Sequence, residues 1–224
     1  MNIAETRAAQ DGQFSVSCLG RKLDLRVASL PTLHGENLVL RLLEQDKGIV
    51  PLPALGLPPA QVASLRQLVQ RPEGLLIVTG PTGSGKTTSL YSMLHTLDAE
   101  QLNIMTLEGP VEYPLPRLRQ TSLAEAVKLD FAAGIRALLR QDPDVILVGE
   151  IRDPETAQMT LRAAMTGHRV FSTLHSNSAL MALPRLFELG IAPAALVGTL
   201  SGLMAVGSRS MMRLVRARRE SARM

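Results

Sequence analysis

Gly80-Pro81-Thr82-Gly83-Ser84-Gly85-Lys86-Thr87 follows the apolar run Leu75–Thr79 and opens a stretch with helical periodicity. The octapeptide fits the pattern G-x-x-x-x-G-K-[S/T]. Its glycines let the backbone wrap so that successive N–H groups point at phosphate oxygens. The helix that follows offers its positive end to the same anion. Lys86 is placed to reach β- and γ-phosphates, and the Thr87 hydroxyl to ligate Mg²⁺. Strand, glycine loop, lysine and helix in that order define a phosphate-binding βα step.

Outward from this step the chain alternates between buried strands and helices. Helical patterns cover Gln61–Gln70, Phe131–Arg140, Pro154–Met165 and Ser178–Leu189. Strand patterns cover Gly74–Thr79, Asn103–Leu107, Asp144–Val148 and Val170–Thr173. Runs such as VILV are apolar at every position, as in strands buried on both faces, which predicts an α/β parallel sheet covered by helices. Leu189–Ser208 carries no charge and has about the length of a membrane span. Gly190, Pro193, Gly198, Gly202 and Gly207 dilute it, so it reads as a packed helix. Upstream, Lys47–Pro59 is rich in proline and glycine and reads as a linker. Ahead of it, Gln13–Leu19 and Arg21–Ser29 read as a hairpin around Gly20, with a further strand at Asn37–Leu43. The expected organisation is a small, partial β-rich domain over 1–46, a linker over 47–59, a nucleotide-binding domain over 60–208 and a basic tail over 209–224.

Three further segments carry chemistry. Asp142 to Glu150 is an apolar strand ending in an acid, which delivers a carboxylate to a metal or an attacking water beside the phosphate loop. Thr173-Leu174-His175-Ser176-Asn177 puts a histidine just past a strand's C-terminal end, where open α/β sheets form their ligand crevice. Glu108 and Glu112 belong to EGPVEY after the strand NIMTL; taken alone, this reads as a solvated loop with two acids.

Composition narrows the partners. Of 224 residues 46% are hydrophobic, enough for a sizeable core. The single cysteine, Cys18, rules out an intrachain disulfide and a four-cysteine zinc site, so no zinc is expected. The net charge of +4 comes from the tail, where six arginines face one acid, Glu220. A chain with no Trp, two Tyr and four Phe is poorly equipped to stack bases, so no specific nucleic acid is expected. Met1–Gly12 holds no secretory apolar run.

Together these segments resemble the type II/IV secretion ATPases. RVASLPTLHGENLVLRLL at Arg26–Leu43 is similar to the stretch ahead of that family's catalytic domain, and GPTGSGKTTSLY to its phosphate-loop motif. LEGPVEY sits where the family has its aspartate box. RALLRQDPDVILVGEIRDPETA is similar to its atypical second nucleotide motif, with Gly149 where other phosphate-loop ATPases carry Asp. TGHRVFSTLHSNSA is similar to its histidine box. The resemblance implies a RecA-like P-loop NTPase domain, an ATP- and Mg²⁺-dependent motor, and a homo-hexamer. It implies work for type II secretion or type IV pilus assembly, on the cytoplasmic side of the inner membrane and bound to membrane platform proteins. Assembly and export motors are closer than retraction motors. It implies that Gly80, Pro81, Thr82, Gly83, Ser84, Gly85, Lys86, Thr87 and Thr88 contact nucleotide, with Thr87 and Glu150 on the metal. Glu150 and Glu108 would position or activate water and metal, His175 would sense the γ-phosphate, and Arg26 and Arg41 would reach a phosphate when the β-rich unit closes. Two departures stand out. Gly109 replaces the aspartate of the aspartate box, so a weakly hydrolysing, nucleotide-binding interaction subunit is the other reading. The family's N-terminal partner-binding domain and zinc motif are not matched, and the C-terminal part is expected to be short.

Overall fold

The computed structural model describes residues 1–18, 21–44, 48–123, 130–176, 178–207 and 212–216. The chain divides into two compact units, Met1–Gly48 and Ile49–Met224.

The first unit is an antiparallel sheet of β1 (Gln10–Cys18), β2 (Arg21–Thr32) and β3 (Gly35–Glu44), in that spatial order. Gly35 has φ +116°, a conformation that suits glycine, and closes the tight turn between β2 and β3. Side chains alternate between the two faces. Phe14, Leu25, Val27, Leu40 and Leu42 share one face, and Asp24, Arg26 and Arg41 the other. Arg26 and Arg41, fifteen positions apart in sequence, are direct cross-strand partners. Arg26 is half-buried and Arg41 exposed; Leu40 and Leu42 are exposed as well, so the leucines beside Arg41 do not mark a buried face.

The second unit is built on a seven-stranded sheet. Its strands are β4 (Gly74–Thr79), β5 (Ile104–Glu108), β6 (Arg119–Ser122), β7 (Val145–Ile151), β8 (Arg169–Leu174), β9 (Leu200–Val206) and β10 (Met212–Arg216). They lie in the order β10-β9-β4-β8-β7-β5-β6, all parallel except the β9–β10 pair. All six residues of β4 are buried, with Leu75 and Ile77 in one core cluster and Leu76 and Val78 in the other. The first face is covered by α3 (Phe131–Leu138), α4 (Pro154–Met165) and α5 (Ala179–Glu188), the second by α1 (Pro59–Val69) and α2 (Lys86–Leu94). Asp130, Asp153 and Ser178 cap α3, α4 and α5 by accepting backbone N–H bonds, the usual service of such residues at a helix start. Gly134 lets α3 lie close on β5: a Cβ there would fall 2.4 Å from Leu107 Cδ2.

Three segments depart from the expectations. Leu189–Ser208 is not one helix. Gly190 (φ +80°) ends α5, a one-turn helix α6 spans Pro193–Leu196, and Gly198 (φ +84°) leads into the buried strand β9. The largely apolar run LSGLMAV is a strand buried on both faces, and the glycines break the chain ahead of it. The proline-rich segment contributes to the core, since Leu52 and Leu55 of a 3₁₀ turn (Leu52–Leu55) and then Leu57 are buried. The basic tail holds β10; residues 208–211 and 217–224, with four of its six arginines, lie outside the described residues, as does Asn177. No helix among the described residues is long and apolar enough to cross a membrane.

Candidate active site

The parallel strands bring their C-terminal ends to one edge of the sheet, where a cleft of about 350 Å³ opens. Its wall includes Gly83, Gly85, Lys86, Thr87 and Thr88 after β4, Glu108, Gly109 and Glu112 after β5, Glu150 on β7 and His175 after β8. The structure therefore gathers the phosphate loop, all three acids and the histidine. Arg26 and Arg41 belong to the other unit. Pro81 lies in the same loop, and Thr82 lines the cleft.

The loop takes its shape from glycines at positions that disfavour side chains. Gly83 and Gly85 have φ of +75° and +95°, and a Cβ at Gly80 would lie 2.2 Å from the Val206 carbonyl oxygen. Lys86 Nζ donates to the carbonyls of Gly80 and Pro81, each at 2.9 Å, which draws the ammonium back over the loop. Burial pushes the Lys86 pKa below its ordinary value, while Glu150 and Glu112 oppose that shift. Ser84 Oγ is buried with no partner among the described residues, inside a loop shaped for an oxyanion.

Two carboxylates face this loop. Glu150 Oε2 lies 2.6 Å from Arg152 Nε and 3.6 Å from His175 Nε2. Its side chain is 13% exposed, whereas Arg152 and His175 reach solvent. Glu112 Oε1 accepts the Thr87 hydroxyl at 3.0 Å. Glu108 is handled differently. It is the last residue of β5 and only 4% exposed, so the solvated-loop reading is corrected for this acid. Its carboxylate accepts from Thr106 Oγ1 at 2.6 Å, from Gln120 Nε2 at 3.2 Å and from the Tyr91 hydroxyl. Burial in a strand's end forces an acid to collect donors.

Glu112, Tyr91 and Gln120 are the residues that sequence reading left without a role. Spacing offered a hint for one of them: Glu112 lies four positions after Glu108, as Tyr91 does after Thr87.

The donors suit Mg²⁺. A hydroxyl and carboxylates are hard oxygens, and the 3.0 Å between Thr87 Oγ1 and Glu112 Oε1 is close to the roughly 2.9 Å edge of an octahedron with 2.0–2.1 Å bonds. No group of three or more His, Cys, Asp or Glu side chains among the described residues forms a cage able to hold a metal alone.

The family model for "Type II/IV secretion system protein" matches residues 1–221. The chain is 49% identical over 213 residues to type II secretion system protein E of Klebsiella pneumoniae, covering 95% of this chain and 42% of that protein. It is 47% identical over 205 residues to type II secretion system protein HxcR of Pseudomonas aeruginosa, covering 92% and 44%. Among solved structures, the pilus retraction motor PilT with bound ADP superposes with a TM-score of 0.74 at 35% identity, over 89% of this chain and 58% of that one. The chain thus spans about two fifths of the length of these curated relatives. With the family model matched over residues 1–221 and the same α/β architecture in its solved neighbours, this chain belongs to the type II/IV secretion system protein family.

Proposed function

We propose that the Ile49–Met224 unit binds ATP with Mg²⁺ and hydrolyses it, as part of a motor subunit for type II protein secretion or type IV pilus assembly. The observation that carries this reading is the meeting of Lys86, Thr87, Glu112, Glu150 and His175 at one cleft from four separate parts of the chain. Gly80 to Thr88 would cradle the phosphates, with Lys86 on the β- and γ-oxygens. Thr87 and the acids Glu112 and Glu150 would hold the Mg²⁺, which supplies charge neutralisation along the phosphates. Glu150 would orient the attacking water, and its neighbour His175 would register the γ-phosphate. Glu108 would act from the wall as a fixed negative charge.

The same proposal extends to the small sheet. Arg26 and Arg41 stand directly opposite one another, like charges that repel, on a face they share with Asp24. Arg26 Nε is buried without a partner among the described residues. A phosphate answers both conditions, because the guanidinium fork meets its oxygens in pairs. The resemblance of these motifs to the type II/IV secretion ATPases would make the motor a homo-hexamer working at the cytoplasmic face of the inner membrane with platform proteins.

The test is steady ATP turnover with nucleotide binding measured alongside. Lys86→Ala should lose turnover and bind ATP weakly. Glu150→Gln should bind normally and lose turnover, since a carboxylate that orients water acts mainly in the transition state. Undiminished turnover in Lys86→Ala sinks the assignment.

A further inference from the structure

Helix α2 and the segment after β5 meet at two matched points. Thr87 and Tyr91 are four residues apart on α2, so their side chains leave the same face. Glu112 and Glu108 are also four apart. The Thr87 hydroxyl donates to Glu112 Oε1 at 3.0 Å, and the Tyr91 hydroxyl donates to Glu108 Oε2.

The two points differ in setting. Thr87 and Glu112 meet at the rim of the cleft. Tyr91 and Glu108 meet in the core, at 0% and 4% exposure. Burial, with the Glu108 carboxylate adding to it, pushes the Tyr91 pKa far above the usual phenol range, so its hydroxyl remains a donor. The Tyr91 ring is braced edge-on by Tyr113, with centroids 4.7 Å apart.

Gln120 on β6 closes the loop between these acids. Its Nε2 donates to Glu108 Oε1 at 3.2 Å and to the Tyr113 carbonyl at 3.4 Å, while its Oε1 accepts the Leu115 N–H at 2.6 Å. One amide thus ties the start of the acidic loop to its end. Between those ties lies Gly109, which brings no side chain to stiffen the backbone.

We propose that Tyr91 and Gln120 are positioning residues that hold Glu108 and, through it, set the 109–112 loop so that Glu112 meets Thr87 at the metal. The proposal rests on the reading of Thr87 and Glu112 as the metal side of an ATP site. Glu108 is then the fixed end of a clasp and Glu112 its working end. The helix that presents Lys86 and Thr87 to the phosphates also carries the anchor for the opposing acid, so both sides of the metal site share one support.

The experiment reads Mg²⁺ directly. A fluorescent ATP analogue is bound to the full chain and Mg²⁺ is titrated in, with no turnover needed. Tyr91→Phe keeps the ring and its contact with Tyr113 and removes one donor. Nucleotide affinity without Mg²⁺ should stay within about twofold, while the Mg²⁺ concentration at half-saturation should rise about tenfold, the range commanded by outer partners of metal ligands. Gln120→Leu should act in the same direction and serves if Tyr91→Phe folds poorly. Glu112→Gln should raise the Mg²⁺ requirement at least as far, and adding Tyr91→Phe to it should change nothing more. An unshifted Mg²⁺ requirement in Tyr91→Phe and Gln120→Leu, with Glu112→Gln shifted, overturns the positioning role alone. Multiplicative effects in the double variant overturn it too. An unshifted requirement in Glu112→Gln overturns the metal-side reading together with the proposal.

Discussion

Gly149→Ala adds one methyl group where β7 lies against the end of β5. A Cβ at that position lies 3.2 Å from Glu108 Cα and 3.2 Å from the Leu107 carbonyl oxygen, with the Phe131 ring at 3.7 Å. The two nearest atoms are backbone in a buried strand, so no side chain can turn aside and the strands must part by a few tenths of an ångström. Overpacking of this kind costs about 1–3 kcal/mol. Alanine returns about 0.4–1 kcal/mol by restricting the unfolded chain. The middle of the difference is about 1.3 kcal/mol, and at about 2–4 °C per kcal/mol for a domain of this size Tm should fall by about 3–5 °C. The strained atoms belong to Leu107 and Glu108, and Gly149 adjoins Glu150, so turnover should suffer beyond the loss of stability, by about tenfold at a temperature where the protein stays folded. Thermal unfolding followed by circular dichroism, with ATP turnover at 25 °C, measures both. A Tm within about one degree of the parent's and normal turnover would refute the reasoning, because it would show slack between β5 and β7 that the 3.2 Å contacts deny.

The neighbouring glycine behaves differently. A Cβ at Gly109 meets only the Phe131 ring, at 3.4 and 3.6 Å, so Gly109→Asp should fold normally and, by adding a carboxylate near Glu112 and Thr87, raise ATP turnover; a flat or lower rate in a steady-state assay counts against a shortage of charge at the metal. Arg26→Ala should lower turnover about tenfold while ADP binds nearly as before, since a lost γ-phosphate contact is felt in the transition state. Equal losses of ADP and ATP affinity with normal saturated turnover would rule that role out.

Much of the second unit was legible because its signals are local and strong. Strand β4 is a run of buried apolar residues ending in a glycine loop, and helix α4 is announced by Asp153-Pro154 and bounded at Met165 as its periodicity predicts. The legible part of the site was likewise the part with fixed spacing, from Gly80 to Thr87. What failed to show was tertiary. Strand β9 is apolar at nearly every position, and such a run fits a buried helix as well as a buried strand until its neighbours are known. Strand β6 reads RQTS, with nothing apolar to mark it, and exists because it pairs with β5 along the sheet edge. The burial of Glu108 was hidden for the same reason, since its three donors come from α2, β5 and β6.

Polar residues inside apolar strands account for how the separate pieces of the cleft hold together. A parallel sheet aligns the ends of β4, β8, β7 and β5 but does not by itself fix the turns that follow them. Thr79, the last residue of β4, puts its hydroxyl 2.6 Å from Ser176 Oγ and 2.9 Å from the Leu174 carbonyl, which pins the His175 turn to the strand that carries the phosphate loop. Ser172 Oγ donates to the Val148 carbonyl at 2.8 Å and Thr173 Oγ1 to the Gly149 carbonyl at 2.7 Å, which pins β8 to the end of β7 just before Glu150. Thr106 performs the same service for Glu108 on β5. Each of these hydroxyls is buried and each has found a partner, as burial of a polar group demands. A sheet with valine at the three threonines and alanine at Ser172 would pack in nearly the same way. It would leave His175, Glu150 and Glu108 joined only through backbone ladders, free to drift by the fraction of an ångström over which water and phosphate must be held. The hydroxyls therefore belong to the site as much as to the core, and they turn a fold that merely collects acids at one edge into one that holds them at set distances from Lys86.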